Sequence, residues 1–265
     1  MKKVSYDDIF VVLTYRNTTD VIDFLDSLRG KIERYKVVIV NSYFDDITYS
    51  CIRKIAYEYG CDFINIQNKG YGYGNNKGIE YVKKMYNFKR VVISNPDIIV
   101  REYNQNKLDE FKDGIIGGDI VCRNGKHQNP LRVTNLSISL YAAYYLYSMN
   151  SKLRFLIGIV IAKLRRWFFL QTINTYKNVF ALHGSFFIIT KNTIEKYDKI
   201  FDENIFMFFE EIDLAKRFEI DKVPVRYVTF VNVYHKEDGS ISISDINESL
   251  EMRKSCCYVF DKYCR

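Results

Sequence analysis

Proline is scarce, three in 265 residues, and no Gly/Ser-rich or repeated tract interrupts the chain. That excludes a long disordered region and a solenoid of short repeats. No apolar run reaches the ~20 residues needed to span a bilayer. The six cysteines, at positions 51, 61, 122, 256, 257 and 264, form no C-x-x-C pair and no metal-ligand spacing. They read as reduced thiols, not as a disulfide frame or a zinc site. Behind the basic start Met1-Lys2-Lys3, Asp7 and Asp8 break up the apolar residues, so no secretory segment is expected and the cytoplasm is the expected compartment.

What is present is a chain with 48% apolar residues, enough for one α/β domain with a helical appendage. The first half alternates β-like runs with amphipathic stretches, the pattern of parallel strands joined by crossover helices. Ile9 to Thr14, Lys36 to Val40, Asp62 to Ile66 and Arg90 to Ser94 are expected as strands. Asp20 to Leu28, Ile47 to Tyr59 and Asn76 to Met85 have helical periodicity. A doubly wound, mostly parallel sheet follows, with residues 1–120 as its ligand-binding half. After a polar loop, residues 139–171 read as a long helical stretch within a second part, 121–240, and 241–265 as a closing helix that leaves room for an oligomer.

Net charge is +7, part of it in Lys152, Arg154, Lys163, Arg165 and Arg166 around the apolar run Phe155 to Ala162. With Trp167, Phe168 and Phe169 beside them, these residues suit a helix lying at a membrane surface through 152–169. They equally suit a helix packed on the domain with its basic residues solvated. The charge does not form a stripe interleaved with stacking aromatics, so nucleic-acid binding is not expected.

Four constellations can carry chemistry. Asn68 to Gly78 places closely spaced glycines before a helix, where backbone N–H groups can approach an anion such as a diphosphate. It is not the G-x-G-x-x-G dinucleotide motif, which follows a first strand. Ser94-Asn95-Pro96-Asp97 ends the fourth strand and sets a carboxylate at the sheet edge where ligands bind, fit for Mg²⁺ or Mn²⁺. Phe206 to Phe209 precede Glu210, Glu211 and Asp213 at a helix start. Such acids can simply suit the helix dipole, but an apolar wall can also raise a carboxyl pKa into the range of a general base. Glu211 is the preferred base and Glu210 its helper. His235 leaves a later strand and would complete the metal shell if that strand ends beside Asp97; His183 and His127 have weaker cases.

Taken in order, these segments resemble family 2 glycosyltransferases, and among them the rhamnosyltransferase-type branch. Asn68 to Gly78 is similar to that branch's N-x-G-F-A-x-G-N-N-x-G, with Tyr71 for Phe and Gly72 for Ala. Asn95-Pro96-Asp97 resembles an N-P-D form of the metal-binding D-x-D. Gly184-Ser185-Phe186-Phe187-Ile188-Ile189 is similar to the acceptor-side G-A-x-x-x-I strand, Phe201-Asp202-Glu203 to F-D-E, and Glu210 to Leu214 to E-D-x-D-L. The chain departs from the pattern twice: Asn41 stands where an acid recognises a pyrimidine, and Glu211 stands where the base is an Asp.

The resemblance implies a GT-A fold and an inverting, metal-dependent sugar transfer from a dTDP- or UDP-sugar, with rhamnose a candidate sugar. The acceptor would be a glycan or a polyprenol-linked chain in bacterial surface polysaccharide synthesis. Asp97 and His235 would hold the metal, and Thr14, Tyr15, Asn17, Asn41, Asp46 and Asn95 would lie around the nucleotide. Gly70, Tyr71, Gly72, Asn75 and Asn76 would line the diphosphate or sugar. His183, Gly184, Ser185 and Asp213 would lie on the acceptor side. A nucleotidyltransferase shares the sheet and metal logic, but Tyr15-Arg16-Asn17-Thr18 is a poor substitute for its basic signature loop. A degenerate transferase that only binds a nucleotide sugar, or a partner enzyme at a membrane, is the other alternative.

Overall fold

The structure is a computed structural model and describes residues 3–135, 163–164, 167–237 and 247–264. Strands β2 (Asp8–Thr14), β3 (Tyr35–Tyr43), β4 (Asp62–Gln67) and β6 (Arg90–Ser94) pair in parallel in the order β4-β3-β2-β6. The central strands β2, β3 and β6 carry buried apolar residues on both faces, as strands covered by helices on each side must, whereas β4 at the edge is more polar and none of its residues is fully buried. Phe10 and Val12 face one core with Val21, Phe24 and Leu28, while Ile9 and Val11 face the other with Ile79 and Val82. This alternation is the period of two of a strand, and each such side chain contributes roughly 1.5–3 kcal/mol on burial.

Helix α1 (Thr19–Leu28) buries Val21, Phe24, Leu25 and Leu28, the i, i+3, i+4, i+7 spacing of an amphipathic helix. Helix α2 (Asp46–Glu58) starts where the Asp45 carboxylate accepts the Thr48 N–H at 2.7 Å, a side-chain N-cap. Helix α3 (Tyr71–Met85) starts five residues earlier than its expected span, so the glycine segment is helical and not an open loop. Packing overrides the weak helix propensity of glycine here: a Cβ on Gly74 would lie 2.5 Å from Leu13, and one on Gly78 2.2 Å from Val11. Only a bare backbone lets α3 sit this close to β2.

The second half extends the same sheet. Strand β10 (Phe186–Thr190) runs antiparallel to β6, and β8 (Ile115–Cys122), β11 (Val225–His235) and β7 (Ile98–Tyr103) follow. Strand β11 is parallel to β8 and antiparallel to β7 and to β9 (Tyr176–Asn178). The sheet is therefore mixed, within the mostly parallel order expected: β4, β3, β2 and β6 are parallel, as are β8 and β11, while β10 enters antiparallel between β6 and β8 and β11 is antiparallel to β7 and β9. Two short strands, β1 (Val4–Ser5) and β5 (Tyr86–Asn87), form a separate parallel pair. The shorter helices are α4 (Gln105–Leu108) and α5 (Lys191–Glu195); α6 (Glu210–Ile220) and α7 (Glu248–Cys264) complete the set.

Most of the helical stretch expected over 139–171, and much of the membrane-surface segment 152–169, lies outside the described residues; 167–171 is helical. Among the described residues no helix is long and apolar enough to cross a membrane.

Candidate active site

Beyond the C-terminal ends of β2, β3 and β6 lies a cavity of about 670 Å³. In an open α/β sheet this is where ligands bind, because strand order reverses there and loops diverge. The end of β2 contributes Leu13 and Tyr15, the end of β3 Ser42, and the start of α3 Gly70 and Tyr71. Asn95, Pro96 and Asp97 enter from the β6–β7 turn, and His235 from the last position of β11. His183, Gly184 and Ser185 precede β10, and Glu210 and Glu211 begin α6. Residues more than a hundred positions apart thus share one space.

The acids are aimed by an unusual turn. Phe208 and Phe209 both take left-handed backbone angles, φ 69° and 68°, a conformation uncommon for bulky residues and held only where its surroundings enforce it. Ser255 of α7 donates to the Met207 carbonyl at 2.7 Å, and Phe209 packs against the cluster of Ile205, Ile212, Val259 and Phe260.

The Glu211 carboxylate then accepts the Gly184 N–H at 3.1 Å. A Cβ on Gly184 would lie 2.6 Å from that carboxylate oxygen, so any side chain here would displace the Glu211 carboxylate from this position. The Tyr71 hydroxyl donates to the Gly184 carbonyl at 2.6 Å. One residue, Gly184, therefore ties the first turn of α3 to the acid of α6 through its two backbone groups. Burial pushes Glu211 above the ordinary carboxylate range. Glu210 is driven further up, by its burial first and by the charge of Glu211 second; its Oε1 has no partner among the described residues.

Asp97 is 1% exposed, and its Oδ1 likewise has no partner among the described residues. Its Oδ2 lies 3.2 Å from His235 Nε2. A chain of contacts sets that ring: Gln128 Nε2 donates to Glu237 at 3.1 Å, leaving Gln128 Oε1 to face His235 Nδ1 at 2.7 Å. The proton of a neutral imidazole then belongs on Nδ1, and Nε2 turns a lone pair toward the carboxylate. Two facing acceptors and an orphaned carboxylate oxygen suit a bridging cation, and a hard divalent ion takes oxygen and imidazole donors together with phosphate. Among the described residues no three His, Cys, Asp or Glu side chains gather into a ready-made cage, so the remaining ligands would come from substrate and water. Lys236 fixes this corner, its N–H on the Asp97 carbonyl at 3.0 Å and its ammonium on Asp20 at 2.6 Å.

Several residues expected around the nucleotide or sugar do not line the cavity. Thr14 is buried and donates to the Asn17 carbonyl at 2.9 Å, and Asn17 accepts the Asp20 N–H at 3.1 Å, so the pair serves the start of α1. Asp46 is exposed and accepts from Tyr43 at 2.9 Å. Gly72 packs on Phe201, and Asn76 holds both backbone groups of Phe201 at 2.9 and 3.0 Å. Asn75 is fully buried and turns its Nδ2 back to the Tyr71 carbonyl at 3.1 Å. These residues pack the first turns of α3 onto β2 and the 201–206 loop. Asn41 is fully buried at the end of β3. Asp213, expected on the acceptor side, points into α7 and binds Lys262 at 2.6 Å and Tyr263 at 3.0 Å. His127 pairs with Asp119 at 2.7 Å on an exposed hairpin.

Other lining residues had no signal in the sequence. Gln128, Leu131 and Arg132 come from an irregular loop, and Glu248 and Met252 from one face of α7. The i, i+4 spacing of the last two marks them as neighbours on a helix, but nothing local shows where that helix docks.

No family model matches the chain. It is 23% identical over 240 residues to rhamnosyltransferase WbbL of Escherichia coli strain K12, a span that covers 86% of this chain and 83% of that protein. Among solved structures, S. aureus TarS 1–349 in complex with UDP-GlcNAc superimposes with a TM-score of 0.58 and 13% identity, covering 98% of this chain and 68% of that one. GalNAc-T7 with UDP, GalNAc and Mn²⁺ gives 0.60 and 10%, covering 89% of this chain and 44% of that one. A longer TarS structure gives 0.56 and 12%, and the chain spans 44% of its length. At these identities the structural likeness is one of fold, and the fold this chain has is the helix-flanked, mixed-sheet α/β fold of GT-A glycosyltransferases.

Proposed function

We propose that this chain is a metal-dependent, inverting family 2 glycosyltransferase of the rhamnosyltransferase type, using a UDP- or dTDP-sugar. The observation that carries the reading is that Asp97 and Glu211 line one cavity with Tyr71. A cation site and a raised-pKa carboxylate facing one space are what a sugar transfer to a hydroxyl needs. The similarity to a rhamnosyltransferase supports the reaction class, and the TarS and GalNAc-T7 structures, which hold UDP-GlcNAc, UDP, GalNAc and Mn²⁺, support a nucleotide-sugar donor.

Asp97 and His235 would hold Mg²⁺ or Mn²⁺, which when bound neutralises the diphosphate and eases its departure. Tyr15, whose ring meets Phe44 edge-on at 5.7 Å, forms with Ser42 and Asn95 the donor end of the cavity. Glu211 takes the proton of an acceptor hydroxyl while that oxygen attacks the anomeric carbon. The bond to the diphosphate breaks as the new bond forms, and a single in-line displacement inverts the centre. Gly184 holds the Glu211 carboxylate toward the acceptor, and Glu210, protonated beside it, keeps a second negative charge out of the pocket.

The acceptor is a glycan or lipid-linked hydroxyl, with the protein working at the cytoplasmic face of a membrane. Exposed Leu164, Trp167 and Phe168 beside Lys163 support that contact. The test is transfer from dTDP-rhamnose and from UDP-sugars with Mn²⁺, with the product anomer read by NMR. Inverted product from wild type and none from Glu211→Gln is the expected result; retained configuration rejects the mechanism.

A further inference from the structure

Two of the residues lining the cavity are histidines, and their surroundings give them opposite tautomers. His235 carries its proton on Nδ1 and turns a lone pair toward Asp97. At His183 the Nδ1 accepts the Ser185 backbone N–H at 3.2 Å and faces the Ser185 hydroxyl at 2.9 Å. A backbone N–H only donates, so neutral His183 keeps its proton on Nε2, the edge left for the cavity. Its mount is firm. Asn129, fully buried and itself donating to the Gly118 carbonyl at 2.8 Å, accepts the His183 backbone N–H at 2.7 Å. The His183 ring meets the His235 ring edge-on, 5.9 Å between centroids, while the next residue, Gly184, binds Glu211 at 3.1 Å. The ring therefore stands between the cation pair and the base, although the order of sequence motifs groups it with the acceptor side. Ligation of a cation through Nε2 would move the proton to Nδ1, against the Ser185 N–H. His183 thus suits a hydrogen-bond donor and not a third metal ligand.

We propose that His183 is a further catalytic residue, the hydrogen-bond donor to the oxygen that departs with the diphosphate. As the bond from the anomeric carbon to that oxygen breaks, its electron pair passes to the oxygen, and the Nε2–H stabilises the growing charge. His183 keeps its proton throughout; the proton of the acceptor hydroxyl goes to Glu211. The inference rests on the donor-site reading given above and adds a protein group for the leaving oxygen.

Two amide variants separate the two edges of the ring. His183→Asn ends where Nδ1 lies, so it can keep the Ser185 contact but loses the cavity donor; His183→Gln reaches the place of Nε2 and restores an N–H there. Calorimetry at one saturating Mn²⁺ concentration should show UDP affinity weakened roughly ten- to a hundredfold in His183→Asn, the worth of a hydrogen bond to a charged group. UMP, which lacks the second phosphate, should bind as to wild type. In sugar transfer kcat should fall roughly a hundred- to a thousandfold in His183→Asn and stay within about tenfold of wild type in His183→Gln. Mn²⁺ affinity, titrated without nucleotide, should be the same in all three proteins. Equal losses for UDP and UMP, weakened Mn²⁺ binding, or His183→Asn more active than His183→Gln would each overturn this inference alone, the last by showing that the ring only holds the 183–185 turn. A wild type that does not bind UDP overturns the donor-site reading and this inference together.

Discussion

The two ends of strands β2 and β6 hold buried charge in opposite states of completion. At their N-terminal ends both Asp8 oxygens are used: Arg90 reaches them at 2.6 and 3.1 Å, Tyr103 one at 2.9 Å and Gln105 the other at 2.7 Å. At the opposite edge of the sheet Asn41, Asp97 and Glu210 each keep an oxygen without a partner among the described residues. Depth does not separate the two ends, since Asp8 is 0% and Asp97 1% exposed. A completed network is how a fold tolerates buried charge. An incomplete one beside a cavity suits a ligand that supplies the missing partner, and on this contrast the proposed function places its chemistry at the second end, its working end.

Substitutions at the two ends should therefore fail in different ways. The largest effect is expected for Glu211→Gln, which should lower turnover by ~10²–10⁴, the worth of general-base assistance, with nucleotide affinity preserved. Stopped assays of sugar transfer beside calorimetry of UDP check both halves. Asp8→Asn at the other end should cost up to about 3–5 kcal/mol of stability, because Arg90 loses its fully buried carboxylate partner and keeps only Asp109, which is more exposed. Turnover per folded molecule should stay at the wild-type level, as urea unfolding and activity on the same sample would establish. Loss of turnover in a folded Asp8→Asn would erase the contrast.

Smaller effects sharpen the working end. Gln128→Ala releases His235 Nδ1, and Mn²⁺ affinity measured by titration should weaken roughly ten- to a hundredfold, as for other residues that orient a metal ligand. The acids predict a pH signature. A carboxyl raised in the folded state contributes stability below its unfolded pKa and loses it as pH rises through the folded value. Glu210 is raised by burial and by Glu211, so wild type should lose stability from the ordinary carboxylate range upward. Glu210→Gln should remove that loss: its melting midpoint should exceed wild type at pH 8 and match it at pH 4. Activity runs the other way, since Glu211 must be ionised and is itself raised. The acid limb of kcat/KM should lie above the ordinary glutamate pKa.

The parallel half of the fold is legible from the sequence because its signals are local. Strands buried on both faces read as apolar runs, and the period of α1 survives any context. The Asn-Pro-Asp turn and the paired glutamates are also local, and a known order of motifs joined them before any coordinates did. The glycine segment misleads, because glycine in a helix makes sense only once Val11 and Leu13 are seen beneath it. Asn76 and Asp213 look like ligand groups until Phe201 and α7 are seen to take them. Gln128, Glu248 and Met252 enter the cavity through tertiary docking, which leaves no periodic trace. Phe208 and Phe209 read as a plain apolar wall, and their left-handed turn follows from contacts with α7 that lie some fifty residues away.

The central claim is that the cation site and the base serve one bound donor. A crystal structure with UDP and Mn²⁺ tests it most directly. The account predicts the ion on Asp97 and the diphosphate inside the cavity between Asp97 and Tyr71, with Glu211 facing the open side. Nucleotide density outside that cavity, or an ion held away from Asp97, would contradict it.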